Sequence, residues 1–285
     1  PVAELTLCAP ERRNAIGSKE IAAVKVALSS ITESCRLFVI RSEGPVFCAG
    51  ANLKEITDGT MNGDDFQSMT NAIAELSIPT LAIVEADVFG GGAELLFSCD
   101  FRMAVEGKKL MIPAAAVGLC YPVEGIERMT QRLGSTLVRR LLLTTEPLSF
   151  ETLSQHGAID WLVDTESVDA KSAALIEKLA GLAPMSLAAM LRIIKMVETN
   201  TFDKAAAQAF ADECSASEDL QEGLRRANSG SGGNRRRRLL ECELQRLECG
   251  YWRQRPRYWW GWRLACWQHL CFSFRGWHRV IRHRL

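Results

Sequence analysis

The chain has 285 residues, with 34 basic and 34 acidic side chains in balance and 47% hydrophobic residues, which suits one sizeable domain plus something extra. No uninterrupted apolar run is long enough to span a membrane, and the chain opens on a strand-like stretch with no signal-peptide pattern. Ten cysteines without a Cys-x-x-Cys pair read as small core residues of a reducing compartment, cytoplasmic or matrix-like, and not as a disulfide framework.

Val2–Leu7 alternates as a strand and ends at Cys8-Ala9-Pro10. The polar loop Glu11-Arg12-Arg13-Asn14 leads to an amphipathic helix over Ser18–Ser30, and Leu37–Ile40 reads as a short buried strand. A turn-rich phrase follows, Gly44-Pro45-Val46-Phe47-Cys48-Ala49-Gly50-Ala51-Asn52-Leu53-Lys54, then a polar loop around Asp58–Asp65 and a helix over Phe66–Leu76. The apolar run Leu81–Val84 leads towards Gly90-Gly91-Gly92, after which Ala93–Cys99 has helical spacing. Three glycines at a strand-to-helix junction leave backbone N–H groups bare and allow a ligand close to the chain. The positive end of the helix then points at that ligand. Glu94 lies in the first helical turn, so an oxyanion stabiliser and an acid/base group sit side by side. The plainer reading is a tight connection with Glu94 as a surface acid.

Further on, Gly118–Gly134 includes a helix start at Ile126-Glu127-Arg128-Met129, and Leu137–Leu143 is apolar enough for core. Thr152–Trp161 is a helix and turn, with His156 before Gly157 as a helix cap. Val168–Leu182, Met185–Thr199 and Phe202–Ala216 have apolar residues at three- and four-residue steps and read as helices for core and subunit contact.

Three passages in order carry a resemblance: Pro10-Glu11-Arg12-Arg13-Asn14-Ala15, Phe47 through Lys54, and Gly90-Gly91-Gly92-Ala93-Glu94-Leu95 through Cys99-Asp100. Together they resemble the crotonase superfamily of enoyl-CoA hydratases and isomerases over roughly residues 1–226. The resemblance implies an α/β fold, a crotonase-type spiral of ββα units with a C-terminal helical trimerisation region, here with an incomplete first strand. It implies an acyl-CoA thioester as ligand, coenzyme A being part of the substrate and no further cofactor or metal being needed. It implies a homotrimer or hexamer. By position, the N–H groups of Ala51 and Gly91 would hold the thioester oxygen, and Glu94 would match the first of the hydratases' two glutamates. Ala49, Gly50, Asn52, Gly90, Pro113 and Gly118 line the matching turns, and Arg13 and Lys54 stand where relatives place basic residues near the CoA phosphates.

Two departures bear on the chemistry. The second glutamate position holds Ala114, in Ala114-Ala115-Ala116, which moves no proton. Glu124, in Tyr121-Pro122-Val123-Glu124-Gly125, stands where relatives more often have glycine; it reads either as a replacement second acid or as a solvent-facing loop acid. Tyr121 is a weaker alternative donor. Asn52 replaces a more usual Asp, keeping hydrogen-bonding capacity without the charge. The expected activity is hydration of a trans-2-enoyl-CoA. Isomerisation or another single-glutamate enolate reaction is the close rival, and a non-catalytic CoA-binding fold is a reading of a different class.

The even charge balance hides a boundary. From residue 229 onward there are 13 Arg, no Lys and three acids (Glu241, Glu243, Glu248), giving a tail of about +10 and a body of about −10. Six of the seven Trp and three of the four His are in the same tail. Residues 227–285, with the linker-like Ser229-Gly230-Ser231-Gly232-Gly233, therefore read as an appendage outside the fold. An out-of-frame message gives such a composition; Arg on phosphates with Trp on bases would give a nucleic-acid contact. Cys266, His269, Cys271, His278 and His283 fit no usual zinc spacing.

Overall fold

The computed structural model describes residues 1–32 and 34–228, together with the backbone of 270–276 and 279–284. The chain begins with strand β1 (Val2–Leu7) and a one-turn 3-10 helix at Pro10–Arg12, followed by helix α1 (Ser18–Ser29). Three repeats of two strands and a helical segment come next. The first comprises β2 (Leu37–Ser42), β3 (Val46–Cys48), α2 (Leu53–Thr57) and α3 (Gly63–Ala74). The second comprises β4 (Thr80–Val84), β5 (Asp87–Phe89) and α4 (Gly91–Ser98). The third comprises β6 (Phe101–Val105), β7 (Lys109–Met111), a 3-10 turn at Ala115–Val117, α5 (Val123–Leu133) and α6 (Ser135–Leu143).

Each repeat puts its first strand into one sheet and its second into another. In the larger sheet β1, β2, β4 and β6 run parallel in that order. In the smaller sheet β3, β5 and β7 are parallel neighbours. The chain thus climbs both sheets one strand per repeat, and this is the spiral of ββα units. Strand β8 (Leu148–Ser149) closes the small sheet antiparallel to β7, and after α7 (Phe150–Gln155) strand β9 (Trp161–Val163) extends the large sheet beside β6. The helices α8 (Val168–Ala180), α9 (Pro184–Glu198), α10 (Lys204–Ser215) and α11 (Glu218–Asn228) complete the C-terminal region.

The large sheet is buried on both faces, as parallel sheets are. Alternate residues divide between two cores: Leu5, Phe38, Ile40, Ala82 and Val84 face the main core with α1, α3 and α4. Leu37, Val39, Leu81, Ile83 and Met103 face a second one with Val168, Leu179 and partly buried Leu175 and Ile176 of α8.

Three differences from the sequence expectations have physical reasons. Strands β3, β5 and β7 have three residues each, too few to show a period of two. Helix α5 starts at Val123 and not at Ile126, which puts Glu124 in a helix's first turn and not in a loop. Residues 227–285 were expected to stay outside the fold, yet β10 (Leu270–Gly276) and β11 (Arg279–Arg284) form an antiparallel pair on β1, with Leu5 opposite Phe272. Without them β1 would be the open edge of the sheet, a row of unpaired N–H and C=O groups that attracts another strand. The linker-like 229–233, the basic 235–238, and Cys266 and His269 lie outside the described residues, and so do the side chains of Cys271, His278 and His283. Among the described residues no single helix is long and apolar enough to cross a membrane.

Candidate active site

The site is built where two turns of successive repeats touch. The first, Ala49–Asn52, leaves β3 and enters α2; the second, Gly90–Gly91, leaves β5 and enters α4. Gly50 has φ +90° and lies so close to the second turn that a Cβ there would come 2.4 Å from the nitrogen of Gly91. A Cβ on Gly92 would come 2.3 Å from the carbonyl oxygen of Cys48. Only glycine lets the two backbones approach this far, so the glycines of both motifs serve one contact.

The first turn is held from below. The Ile16 N–H donates to Gly50 O at 2.8 Å and the Asn52 N–H to Ile16 O at 2.8 Å. In this parallel bridge between Ile16 and Ala51, the bonds flank Ala51 and turn its own N–H to the opposite side, away from Ile16. The Gly91 N–H, first in α4, belongs to the donors a helix leaves without an internal acceptor. Asn52 caps α2 by accepting from the Lys54 N–H at 3.2 Å, and it donates to Glu55 at 2.8 Å. Glu55 in turn accepts the backbone N–H of Ser18, which holds its carboxyl below the usual range. The Pro10–Ala15 motif is a second clamp: buried Asn14 accepts from the Ala9 N–H at 2.8 Å and donates to Val46 O at 2.7 Å. The Ala49 N–H donates to Arg13 O at 3.0 Å.

Glu94 is on the first turn of α4 and only 1% exposed. Its Oε1 accepts hydrogen bonds from Gln67 Nε2 at 2.7 Å and Thr70 Oγ1 at 2.8 Å, and lies 3.6 Å from Arg128 Nη1. Its Oε2 is buried with no hydrogen-bond partner among the described residues, and it faces Gly125, where an added Cβ would stand 3.0 Å away. Burial pushes the carboxyl above its ordinary range, and the charge of Glu124 adds to this. The bonds from Thr70 and Gln67 and the charge of Arg128 oppose it. A raised carboxyl beside bare backbone donors can take a proton from carbon and return it.

The structure brings most of the anticipated residues together. Tyr121 is buried against this cluster and its hydroxyl donates to Gly90 O at 3.3 Å. Burial, then the neighbouring Glu94, raises its hydroxyl well above the usual value, so it stays protonated. Glu124 is exposed at the rim of the site, where it accepts from Asn71 Nδ2. Ala114 is buried at the end of the Pro113 turn and presents a methyl group. Arg13 is exposed and stacks its guanidinium on Phe89, 4.8 Å from the ring centre and next to Gly90. Lys54 is exposed on α2, and Gly118, exposed with φ +75°, ends the 3-10 turn. Cys48 lies beneath Gly50, its thiol pushed up to about 12 by burial, which makes it packing and not a nucleophile. Among the described residues no group of His, Cys, Asp and Glu is arranged to hold a metal ion.

Sequence reasoning missed the three residues that hold Glu94, Gln67 and Thr70 of α3 and Arg128 of α5, and Asn71 of α3, which ties Arg128 to Glu124. The signal was present, since polar residues at 67, 70 and 71 share one face of a helix that otherwise buries Phe66, Met69 and Ile73.

An enoyl-CoA hydratase/isomerase family model matches residues 1–228. The chain belongs to the enoyl-CoA hydratase/isomerase family. It is 30% identical over 211 residues to the enoyl-CoA isomerase/hydratase fer4 of Mycosarcoma maydis, covering 68% of this chain and 77% of that protein. It is 29% identical over 239 residues to a protein named probable enoyl-CoA hydratase of Bacillus subtilis (strain 168), covering 78% and 90%. Among solved structures, one of an enoyl-CoA hydratase/isomerase family member superposes with a TM-score of 0.73 at 26% identity, over 80% of this chain and 92% of the other. The crotonase fold expected from the three motifs is therefore the fold of this chain, and the family's enzymes are lyases and isomerases of enoyl-CoA.

Proposed function

We propose that this protein hydrates a trans-2-enoyl-CoA through an enolate stabilised at the Ala51 and Gly91 N–H groups. The observation that carries the reading is Glu94: a buried carboxylate with one oxygen anchored and the other unpartnered, one helical turn from the bare N–H of Gly91, whose neighbour Gly90 donates its own N–H to Met111 O. As a thioester oxygen gains negative charge, the two N–H groups and the start of α4 stabilise it. Glu94 Oε2 then exchanges the proton at carbon. Glu124 supplies the second acid/base group, orienting the water; its tie to Asn71, which also bonds Arg128, places it in the network that holds Glu94. Arg13 and Lys54, both exposed, take the phosphates of CoA.

Ala114 favours a second reading. A single carboxylate moves a proton between two carbons of one substrate without recruiting water, so isomerisation of a 3-enoyl-CoA follows if Glu124 remains a rim acid. The test is loss of conjugated absorbance from crotonyl-CoA by the full-length protein. Hydration that falls on Glu94→Gln and also on Glu124→Ala supports the first reading. Hydration indifferent to Glu124→Ala returns that residue to the surface, and no hydration with turnover of 3-enoyl-CoA gives the isomerase. No turnover of either ester, with CoA-ester binding intact, leaves a non-catalytic CoA-binding protein.

The C-terminal helices support assembly as a homotrimer or a hexamer. Ile194 and Val197 of α9 and Phe202 after it are 53%, 57% and 52% exposed. Such a contiguous apolar stretch costs solubility unless a partner covers it.

A further inference from the structure

We propose that Arg128 is the positioning residue of this site: its partly buried guanidinium, set by charge 3.6 Å from the Oε1 of Glu94 that Gln67 and Thr70 hydrogen-bond, fixes that oxygen and leaves Oε2 as the one that exchanges a proton with substrate. The inference rests on the reading of Glu94 as the acid/base group.

Three observations carry it. All the polar contacts of the Glu94 carboxyl converge on one oxygen: Gln67 Nε2 at 2.7 Å, Thr70 Oγ1 at 2.8 Å and Arg128 Nη1 at 3.6 Å. The opposite oxygen, Oε2, is buried and without a partner, on the side of Gly125 and Tyr121. Arg128 is itself held, because its Nη2 donates to Asn71 Oδ1 while the Asn71 amide donates to Glu124. An arginine tied down by an amide cannot swing out to solvent, so its charge stays at a set place beside the carboxylate.

The electrostatics follow from that geometry. The groups facing Glu94 are Gln67 and Thr70 from α3, Tyr121 from the preceding loop, and Arg128 and Glu124 from α5. Gln67 and Thr70 are neutral, Tyr121 stays protonated, and the charge of Glu124 pushes the Glu94 carboxyl further up. Arg128 is therefore the one cation among them. An isolated buried carboxylate would take up a proton instead of remaining charged. Arg128 opposes that uptake and, through Asn71, lets a second carboxylate stand nearby.

The test compares full-length wild type with Arg128→Met and Arg128→Lys, each checked for folding by circular dichroism. One readout is the pH profile of kcat/KM for enoyl-CoA turnover. The other is the carbon-13 carboxyl titration of Glu94, identified as the resonance lost in Glu94→Gln, which requires no activity. In Arg128→Met the Glu94 titration and the acid limb of the profile are expected to move up together by about one unit or more. The rate at neutral pH falls about tenfold and recovers at higher pH. Arg128→Lys restores the limb towards wild type. A loss equal at every pH, with the Glu94 titration unmoved, overturns the inference and makes Arg128 a packing residue. If Arg128→Met does not fold, Arg128→Gln removes the charge and keeps an amide for Asn71. A wild type without turnover, but whose Glu94 titration still rises in Arg128→Met, sinks the catalytic reading and leaves the control of Glu94 by Arg128 standing.

Discussion

At the scale of single residues, Glu94 illustrates a conflict between stability and chemistry. Its carboxyl is raised by burial, so the folded state holds a proton over a pH range in which the unfolded state has released it. Stability contributed by that proton is present below the unfolded pKa, near 4.5, and is lost as pH rises through the folded value. Glu94→Gln keeps the shape and removes this loss. The variant is expected to lose about 10²–10⁴-fold in kcat with CoA-ester binding retained. Its melting temperature at pH 7 should equal or exceed that of wild type, by about 2–4 °C for each kcal/mol relieved, and the gap should close towards pH 4. Calorimetry at the two pH values checks the sign; a variant that melts lower at pH 7 would show that the ionised carboxylate stabilises the fold. Glu94 could be picked out from the sequence because it follows three glycines. Arg128 could not, since one arginine in an amphipathic helix looks like any other until α3 is packed against α5.

At the scale of elements, the short helix α4 is the organising piece. Its N-terminus supplies a bare donor, its first turn supplies the carboxylate, and its other end is fixed by cations. Arg132 donates to Phe97 O at 2.8 Å and Cys99 O at 2.7 Å, and Arg102 donates to Cys99 O at 2.9 Å. Charge at a helix C-terminus is favourable, and Asp100, next in the chain, pairs with both Arg132 and Lys195. The helix is thus tethered to α5 and α9. A sharp consequence concerns Gly92, where an added Cβ would meet the Cys48 backbone. Gly92→Ala must push α4 away from the Gly50 turn, at a cost of about 1–3 kcal/mol typical of overpacking. Misplacing one oxyanion donor should also lower kcat/KM by about 10²–10³-fold. Denaturant melts and steady-state kinetics check both, and a stable, fully active variant would show that the two turns do not work as a unit. The Gly90–Gly92 motif was legible as a strand-to-helix junction because glycine there has few other uses. The three-residue strands beside it were not, because their pairing comes from neighbours far along the chain.

At the scale of the whole molecule, the C-terminal helices are packed with uneven completeness. Helix α8 buries Val168 and Leu179 against the large sheet, whereas α9 buries Ala189 and leaves Met190, Ile194 and Val197 outside. Periodicity predicts an apolar face for each helix, but not whether the same chain covers it. If this face is the proposed subunit contact, light scattering should return the mass of three chains or a multiple of it. Ile194→Arg with Val197→Asp should shift the protein towards monomer without unfolding it. A wild type that stays monomeric at micromolar concentration would remove the assembly from the proposal. The basic tail teaches a related lesson: its composition marks residues 227–285 as foreign to the domain, yet the backbone of β10 and β11 is paired onto β1. An open strand edge accepts any extended partner, since the bonds run between backbones and not side chains.

What the sequence determined by itself was local or carried by ordered motifs: the glycine junction, the helical spacings, the cap at His156, and the likeness to the crotonase family. What only the tertiary structure decided was convergence. Gln67, Thr70, Arg128 and Glu94 come from three helices, and the oxygen of Glu94 left unpartnered depends on where those helices lie. Distances of 2.7–3.6 Å between residues 24 to 34 positions apart are set by the climb of the two sheets, and no local pattern in the chain encodes them.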